Sequence, residues 1–158
     1  MSTPADYYDL NRVRPEVLAV LNRINELGPK FTERAVGIDL DASFPTENYQ
    51  DLATEGFMTL TVPTEYGGHG FSLGEYAMVG AEIAKFCGAT ALTFNMHNST
   101  MMWARFMYEM PHLTDAERAE FKPLRARQFS QIGNSSVRAS VVYSTVDVTG
   151  KRTNETIT

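Results

Sequence analysis

The sequence is poor in residues that staple, coordinate or cross a bilayer. It holds one cysteine, Cys87, in 158 residues. A lone thiol closes no internal disulfide, and its neighbours Phe86, Gly88 and Ala89 bring no cation to activate it, so a buried, inert thiol is expected. The three histidines, His69, His97 and His112, fall in no His-x-x-x-His or Cys/His spacing, which speaks against a metal site. No apolar run approaches the ~20 residues of a membrane span, so no membrane partner is expected. Positive charge is also scarce, with 14 Lys and Arg against 19 Asp and Glu and a net charge of -5. Phosphate binding needs clustered cations, and this balance argues against a nucleic-acid partner. The densest basic stretch, Arg118, Lys122, Arg125 and Arg127, is interrupted by Glu117 and Glu120 and reads as a solvated helix face. Met1 to Leu10 carries two aspartates and no base, unlike a secretory signal or an Arg-rich transit peptide. The expected compartment is the cytoplasm, and the sequons at Asn98, Asn134 and Asn154 are then chance matches. No Gly-x-Ser-x-Gly elbow or Cys–His arrangement points to a nucleophile, so no catalytic residue is assigned.

What remains is an ordinary globular composition, 43% hydrophobic and 21% charged, enough for one domain with its own core. Residues 1–14 read as a flexible arm. Pro15 suits a first helical turn, and Val17, Leu18, Leu21, Ile24 and Leu27 follow at helical spacing. Gly28-Pro29 is expected to punctuate or kink this helix before a second stretch from Phe31 to Leu40. Tyr49, Leu52, Ala53 and Phe57 mark a short helix ending near Gly56. Met58 to Pro63 reads as a short extended run, and Tyr66 to Gly70 as a loop. Ser72 with Glu75, and Thr114 with Glu117, are capping boxes opening two further helices. Between them lies a long apolar helix from Ala89 to Met110. From Val137 to Thr145 a β-branched alternation predicts a strand, and the polar run after Val148 predicts a turn and then disorder.

Two features invite a ligand. Gly67-Gly68-His69-Gly70 resembles a phosphate loop in composition, but no Lys follows and the spacing is neither GxGxxG nor GxxxxGK[ST]. The long helix gathers Met96, Met101, Met102, Met107 and Met110 with Phe94, Trp103 and Phe106. Methionine lines adaptable apolar cavities and also fills ordinary cores. A helix apolar nearly all round needs cover on most sides. Its His97 is expected to be a core histidine satisfied by a hydrogen bond.

Residues 34 to 72 carry a more specific pattern. Arg34-x-x-x-x-Asp39 precedes Phe44-Pro45-x-Glu47, then Leu52-x-x-x-Gly56, then Val62-Pro63-x-Glu65-Tyr66-Gly67-Gly68-x-Gly70-x-Ser72. Glu82-Ile83-Ala84 and Gly88-Ala89-Thr90-Ala91-Leu92 follow. This order resembles the start of the FAD-dependent acyl-CoA dehydrogenases and their flavin monooxygenase cousins, and the resemblance spans roughly residues 15 to 130. It implies an all-α domain over residues 15–131, with 132–158 an unmatched tail holding a short β-strand. In that family an N-terminal helical domain, a middle β-domain and a C-terminal helical bundle enclose FAD and the acyl-CoA. A carboxylate, usually from the bundle, removes the α-proton while the β-hydrogen leaves as hydride to the flavin. The N-terminal domain mainly shapes the acyl pocket. By resemblance Phe94, Asn95, Met96 and Ser99 reach the pocket's deep end.

The family continues into its middle domain through a T-E-P or S-E-P segment and a downstream Gly-Ser. Here Gln128-Phe129-Ser130-Gln131-Ile132 is followed by Gly133-Asn134-Ser135-Ser136-Val137-Arg138. A true terminus, a gene fragment and a frameshifted end all fit this. The resemblance therefore implies an oxidoreductase part that is not catalytic alone and binds FAD weakly or not at all. Its partners are an acyl-CoA-like substrate and either the missing domains or a second copy. A non-catalytic helical module for a hydrophobic ligand or partner protein is the other reading.

Overall fold

Pro15 opens the first helix of the computed structural model, which describes residues 9, 12–133, 143–146 and 152–155. Helix α1 runs unbroken through Pro15–Leu40. The expected break at Gly28-Pro29 does not occur. Pro29 removes one helical hydrogen bond, at a cost of about 3 kcal/mol, but one continuous stripe of Val17, Leu21, Ile24, Leu27 and Phe31 is buried on both sides of it. Gly28 lies against the Phe86 ring, where a Cβ would stand 2.5 Å from three ring carbons. Tertiary packing thus outweighs the local breaker.

Helix α2 spans Thr46–Thr54. Gly56 then takes φ 77°, the left-handed geometry that glycine adopts without strain. It turns the chain into a 3-10 turn at Phe57–Thr59. Met58 to Pro63 is therefore not the extended run the sequence suggests. Leu60, Thr61 and Val62 are fully buried, and the glycine loop folds back as their backbone partner. His69 N–H donates to Thr59 O at 3.1 Å, Gly70 N–H to Val62 O at 2.9 Å and Phe71 N–H to Leu60 O at 2.8 Å.

Helix α3, Leu73–Ala84, opens with the complete Ser72/Glu75 capping box. Helix α4 spans Gly88–Glu109 and helix α5 spans Asp115–Gly133. The Thr114/Glu117 box is also formed, with Thr114 N–H donating to Glu117 Oε2 at 2.8 Å and Glu117 N–H to Thr114 Oγ1 at 3.3 Å. Helix α3 packs on both α1 and α4, and α5 closes over the end of α4. The main core joins α1, α2, α3 and α4, from Val17 to Phe94. A smaller cluster of Val62, Met101 and Phe129 seats α5. The helical class is as the sequence indicates.

The tail differs from expectation. Strand β1 is Tyr143–Val146 and pairs antiparallel with β2, Arg152–Glu155. The disorder expected beyond the turn is thus replaced at residues 152–155 by a hairpin partner. Backbone hydrogen bonding needs no apolar side chains, so the polar composition of this segment was a poor guide. Residues 1–8, 10, 11 and 134–142 lie outside the described residues, and with them most of the expected arm and the first part of the predicted strand.

Candidate functional site

Helix α4 buries Thr90, His97 and Asn98 beside Phe94 and Met101 and leaves a largely apolar stripe exposed on its other side. Thr90 and Asn98 are fully buried and His97 is 6% exposed. Each is satisfied, as buried polar groups must be. Asn48 Nδ2 donates to Thr90 Oγ1 at 2.8 Å. Thr61 Oγ1 donates to Asn98 Oδ1 at 3.2 Å, and Asn98 Nδ2 to Phe94 O at 3.1 Å. His97 Nε2 lies 2.8 Å from Met58 O. Burial pushes the His97 pKa down, against the opposing pull of that carbonyl, so the ring is held neutral and donates its Nε2 proton. His97 is the satisfied core histidine its context implies. The Tyr76 hydroxyl is pushed above its ordinary range by burial, and Asn98 opposes this. Asn98 does so without reaching hydrogen-bond geometry, for the hydroxyl has no bonded partner.

These bonds also explain the Arg34…Phe44-Pro45-x-Glu47 pattern. Arg34 reaches Asn48 Oδ1 at 2.8 Å, Asp51 Oδ2 at 2.7 Å and Glu47 Oε2 at 2.8 Å. It ties α1 to α2, and through Asn48 to Thr90 of α4. A shallow cavity of ≈ 160 Å³ beside it, lined by Ile38, Phe44 and Pro45 among others, has its cation already matched by two carboxylates.

The outer side of α4 carries the exposed apolar residues. Leu92 is 66% exposed, Met96 56%, Trp103 61%, Phe106 57% and Met107 46%. Trp103 and Phe106 meet edge to face at 5.8 Å. Of the four residues placed at the pocket by resemblance, Asn95 and Met96 are exposed and Ser99 is half-buried, its hydroxyl donating to Met96 O at 3.0 Å. Phe94 points the other way. It is fully buried, with the rings of Tyr49, Tyr76 and His97 centred 6.2, 6.1 and 6.3 Å away. Leu92 and Trp103, which share the outer side, were not singled out for the pocket. Their signal was helical spacing from Met96, hidden by the apolar run around them.

The glycine loop offers no phosphate cradle. Every amide from Tyr66 to Phe71 donates within the protein, to Pro63, Thr64, Pro63, Thr59, Val62 and Leu60 in turn. A phosphate needs such groups free. The loop is instead pinned from α5. The Arg125 side chain is only 10% exposed, and its guanidinium sits 4.1 Å from the Tyr108 ring and 5.6 Å from those of Tyr66 and Phe129. Arg118 donates to Tyr108 O and Met110 O, both at 2.6 Å, covering carbonyls at the end of α4. Half of the basic stretch is thus structural, while Lys122 and Arg127 are exposed as expected. Among the described residues no cluster of three or more His, Cys, Asp or Glu could hold a metal ion. Among the same residues no helix is long and apolar enough to cross a membrane.

The family model for the acyl-CoA dehydrogenase N-terminal domain matches residues 20–110, from α1 through the end of α4. The chain belongs to the acyl-CoA dehydrogenase family. It is 34% identical over 84 residues to a cyclohex-1-ene-1-carbonyl-CoA dehydrogenase of Syntrophus aciditrophicus, covering 52% of this chain and 20% of that protein. It is 42% identical over 57 residues to a 3-sulfinopropanoyl-CoA desulfinase of Cupriavidus necator, covering 36% of this chain and 14% of that protein. With a probable acyl-CoA dehydrogenase of Bacillus subtilis it shares 33% identity over 76 residues, or 45% of this chain and 20% of that one. The matched stretch of this acyl-CoA dehydrogenase domain amounts to about a fifth of the length of such relatives.

Proposed function

We propose that this domain supplies one wall of the acyl pocket in an FAD-dependent oxidoreductase acting on acyl-CoA thioesters, and that it is not catalytic alone. The observation that carries this reading is the exposed apolar stripe of α4, centred on Met96 and Trp103. Thr90, His97 and Asn98 of the same helix are spent on hydrogen bonds inside the domain. An acyl chain offers no polar groups, and an apolar wall gains roughly 25 cal/mol for each Å² it covers. Asn95, Met96 and Ser99 are the pocket residues of this reading, while Phe94 backs them from within the core.

The described residues do not fit a flavin. The glycine loop has used its amides, and no carboxylate stands on the outer stripe, so no step of the redox reaction is assigned to this chain. FAD held by the other domains would supply the hydride acceptor; the residues here would exclude water and set the shape of the acyl end. The remaining domains would come from the same polypeptide or from another chain.

Trp103 is the only tryptophan, and it reports on this face directly. Adding the middle and C-terminal domains of a family member with FAD and acyl-CoA should shift its emission to the blue, as the ring leaves water. Emission that stays that of an exposed indole while the flavin is reduced would contradict the assignment.

A further inference from the structure

The last turns of α4 carry part of the apolar stripe with little of the core beneath them. The buried residues of α4 are Thr90, Phe94, His97, Asn98 and Met101. Met102 and Ala104 are the last of the helix to pack against either core cluster. Among the described residues, none from Arg105 to Glu109 joins those clusters. Yet this stretch holds Phe106 and Met107, and Phe106 supports Trp103 through their edge-to-face contact.

What lies against these turns is a cation from α5. The Arg125 guanidinium is 4.1 Å from the centre of the Tyr108 ring, with the Tyr66 and Phe129 rings both at 5.6 Å. Its Nη1 faces Glu65 Oε1 at 3.5 Å. The end of α4, the glycine loop and α5 thus meet on one side chain. A guanidinium is flat and always charged, so it stacks on a ring and faces a carboxylate at once. A point-like ammonium has no such face.

Stability does not account for an arginine here. The side chain is only 10% exposed, and its Nε is buried with no hydrogen-bond partner. A buried donor left unmet lowers stability. Glu65 is 59% exposed, so water screens the pair and its return is small. A methionine of similar length would fill the space among the three rings without the stranded donor. What arginine adds is a fixed plate between Tyr108 and Glu65.

We propose that Arg125 is a positioning residue for the acyl wall. It fixes the end of α4 against the glycine loop and so sets where Trp103, Phe106 and Met107 stand. Arg125 itself touches no substrate, and the inference rests on the pocket reading above.

The test mixes the full chain with the middle and C-terminal domains of an acyl-CoA dehydrogenase and FAD. Arg125→Met should raise KM for acyl-CoA at least about fivefold with kcat unchanged. Arg125→Lys keeps a charge facing Glu65 without the flat face, and should raise KM as well. In the chain alone, the urea midpoint of Arg125→Met should not fall. Amides of residues 105–109 should exchange hydrogen faster in that variant, and those of 94–101 at the parent's rate. A merely structural arginine would lower the urea midpoint and kcat and leave KM alone, and that result overturns the proposal. So does exchange at 105–109 equal to the parent's. A parent chain that turns over while Arg125→Met keeps its KM removes this inference alone. A parent chain that gives no turnover removes the pocket reading and this inference with it.

Discussion

Replacing Gly68 by alanine should be the most damaging single-methyl change in this domain. Its φ is not the reason. An added Cβ would stand 2.1 Å from the Val62 carbonyl oxygen and 2.5 Å from the carbonyl carbon. Both are backbone atoms, and Val62 is fully buried against Met101 and Phe129. Nothing at that contact is a flexible side-chain end, so the loop must lift. Lifting it breaks the Gly70 N–H to Val62 O bond of 2.9 Å. Overpacking of this kind costs about 1–3 kcal/mol, and a lost hydrogen bond about 0.5–1.5 kcal/mol. The total of about 2–4 kcal/mol is a large share of the 5–15 kcal/mol typical of a domain. Urea unfolding followed by circular dichroism should show the midpoint falling sharply with little change in slope. Gly37→Ala is the control. It lies within α1 and a Cβ there meets nothing within 4 Å, so the same methyl should stabilise by up to about 1 kcal/mol. Equal midpoints for Gly68→Ala and the parent would show that the loop takes the methyl without lifting from Val62.

Other consequences follow from the charged and buried polar groups. Hydrogen bonds from Arg14 hold the Glu75 carboxyl down to about 2, with burial opposing and Ser72 assisting. A depressed carboxyl stabilises fully above its unfolded value and loses that contribution as the pH falls. The parent should therefore lose more stability than Glu75→Gln between pH 4.5 and about 2, read from urea midpoints across that range. His97 titrates in a different window. Its pKa is lowered from 6.5 by burial, so the unfolded chain takes up the proton first and stability declines as pH falls below that value. His97→Gln keeps a donor for Met58 O and should flatten this decline, and a pH slope identical to the parent's would show that His97 is not its source. His97→Leu strands the buried Met58 carbonyl and should cost about 1–3 kcal/mol. Asn48→Leu should cost a similar amount, because Thr90 and Arg34 both lose a partner with it; thermal melts check both variants.

The sequence was most legible where structure is made within three residues. Both capping boxes form as written, because a Ser or Thr side chain and a Glu three positions on need no tertiary partner. Gly56 and the glycine loop were legible for the same reason, since backbone geometry selects the residue. Pro29 misled because the stripe from Val17 to Phe31 is held from outside the helix, by α3 and Phe86. Met58 to Pro63 misled because its backbone partner is a loop several residues later. The Arg34 cluster was recognisable as a pattern but not as an ion-pair node, since its members lie 13 to 17 residues apart. Arg125 and Arg118 looked like a solvated face, but the aromatic rings and carbonyls they serve belong to other elements. On α4 the abundance of apolar residues concealed direction. Phe94 and Met101 are buried, while Trp103 and Phe106 of the same apolar run are exposed. Composition cannot separate the two sides of a helix whose inward face carries Thr90, His97 and Asn98.

On the proposed reading this domain completes an acyl pocket whose chemistry is supplied by other domains. Acyl-CoA-dependent bleaching of flavin absorbance tests it most directly, with the chain mixed with separately supplied middle and C-terminal domains of an acyl-CoA dehydrogenase. Bleaching is predicted only when this chain is present, and Met96→Asp, which puts a charge on the outer stripe without entering the core, should raise KM at least about tenfold. Bleaching by the chain and FAD alone, or by the other domains at the same rate without it, would contradict the account.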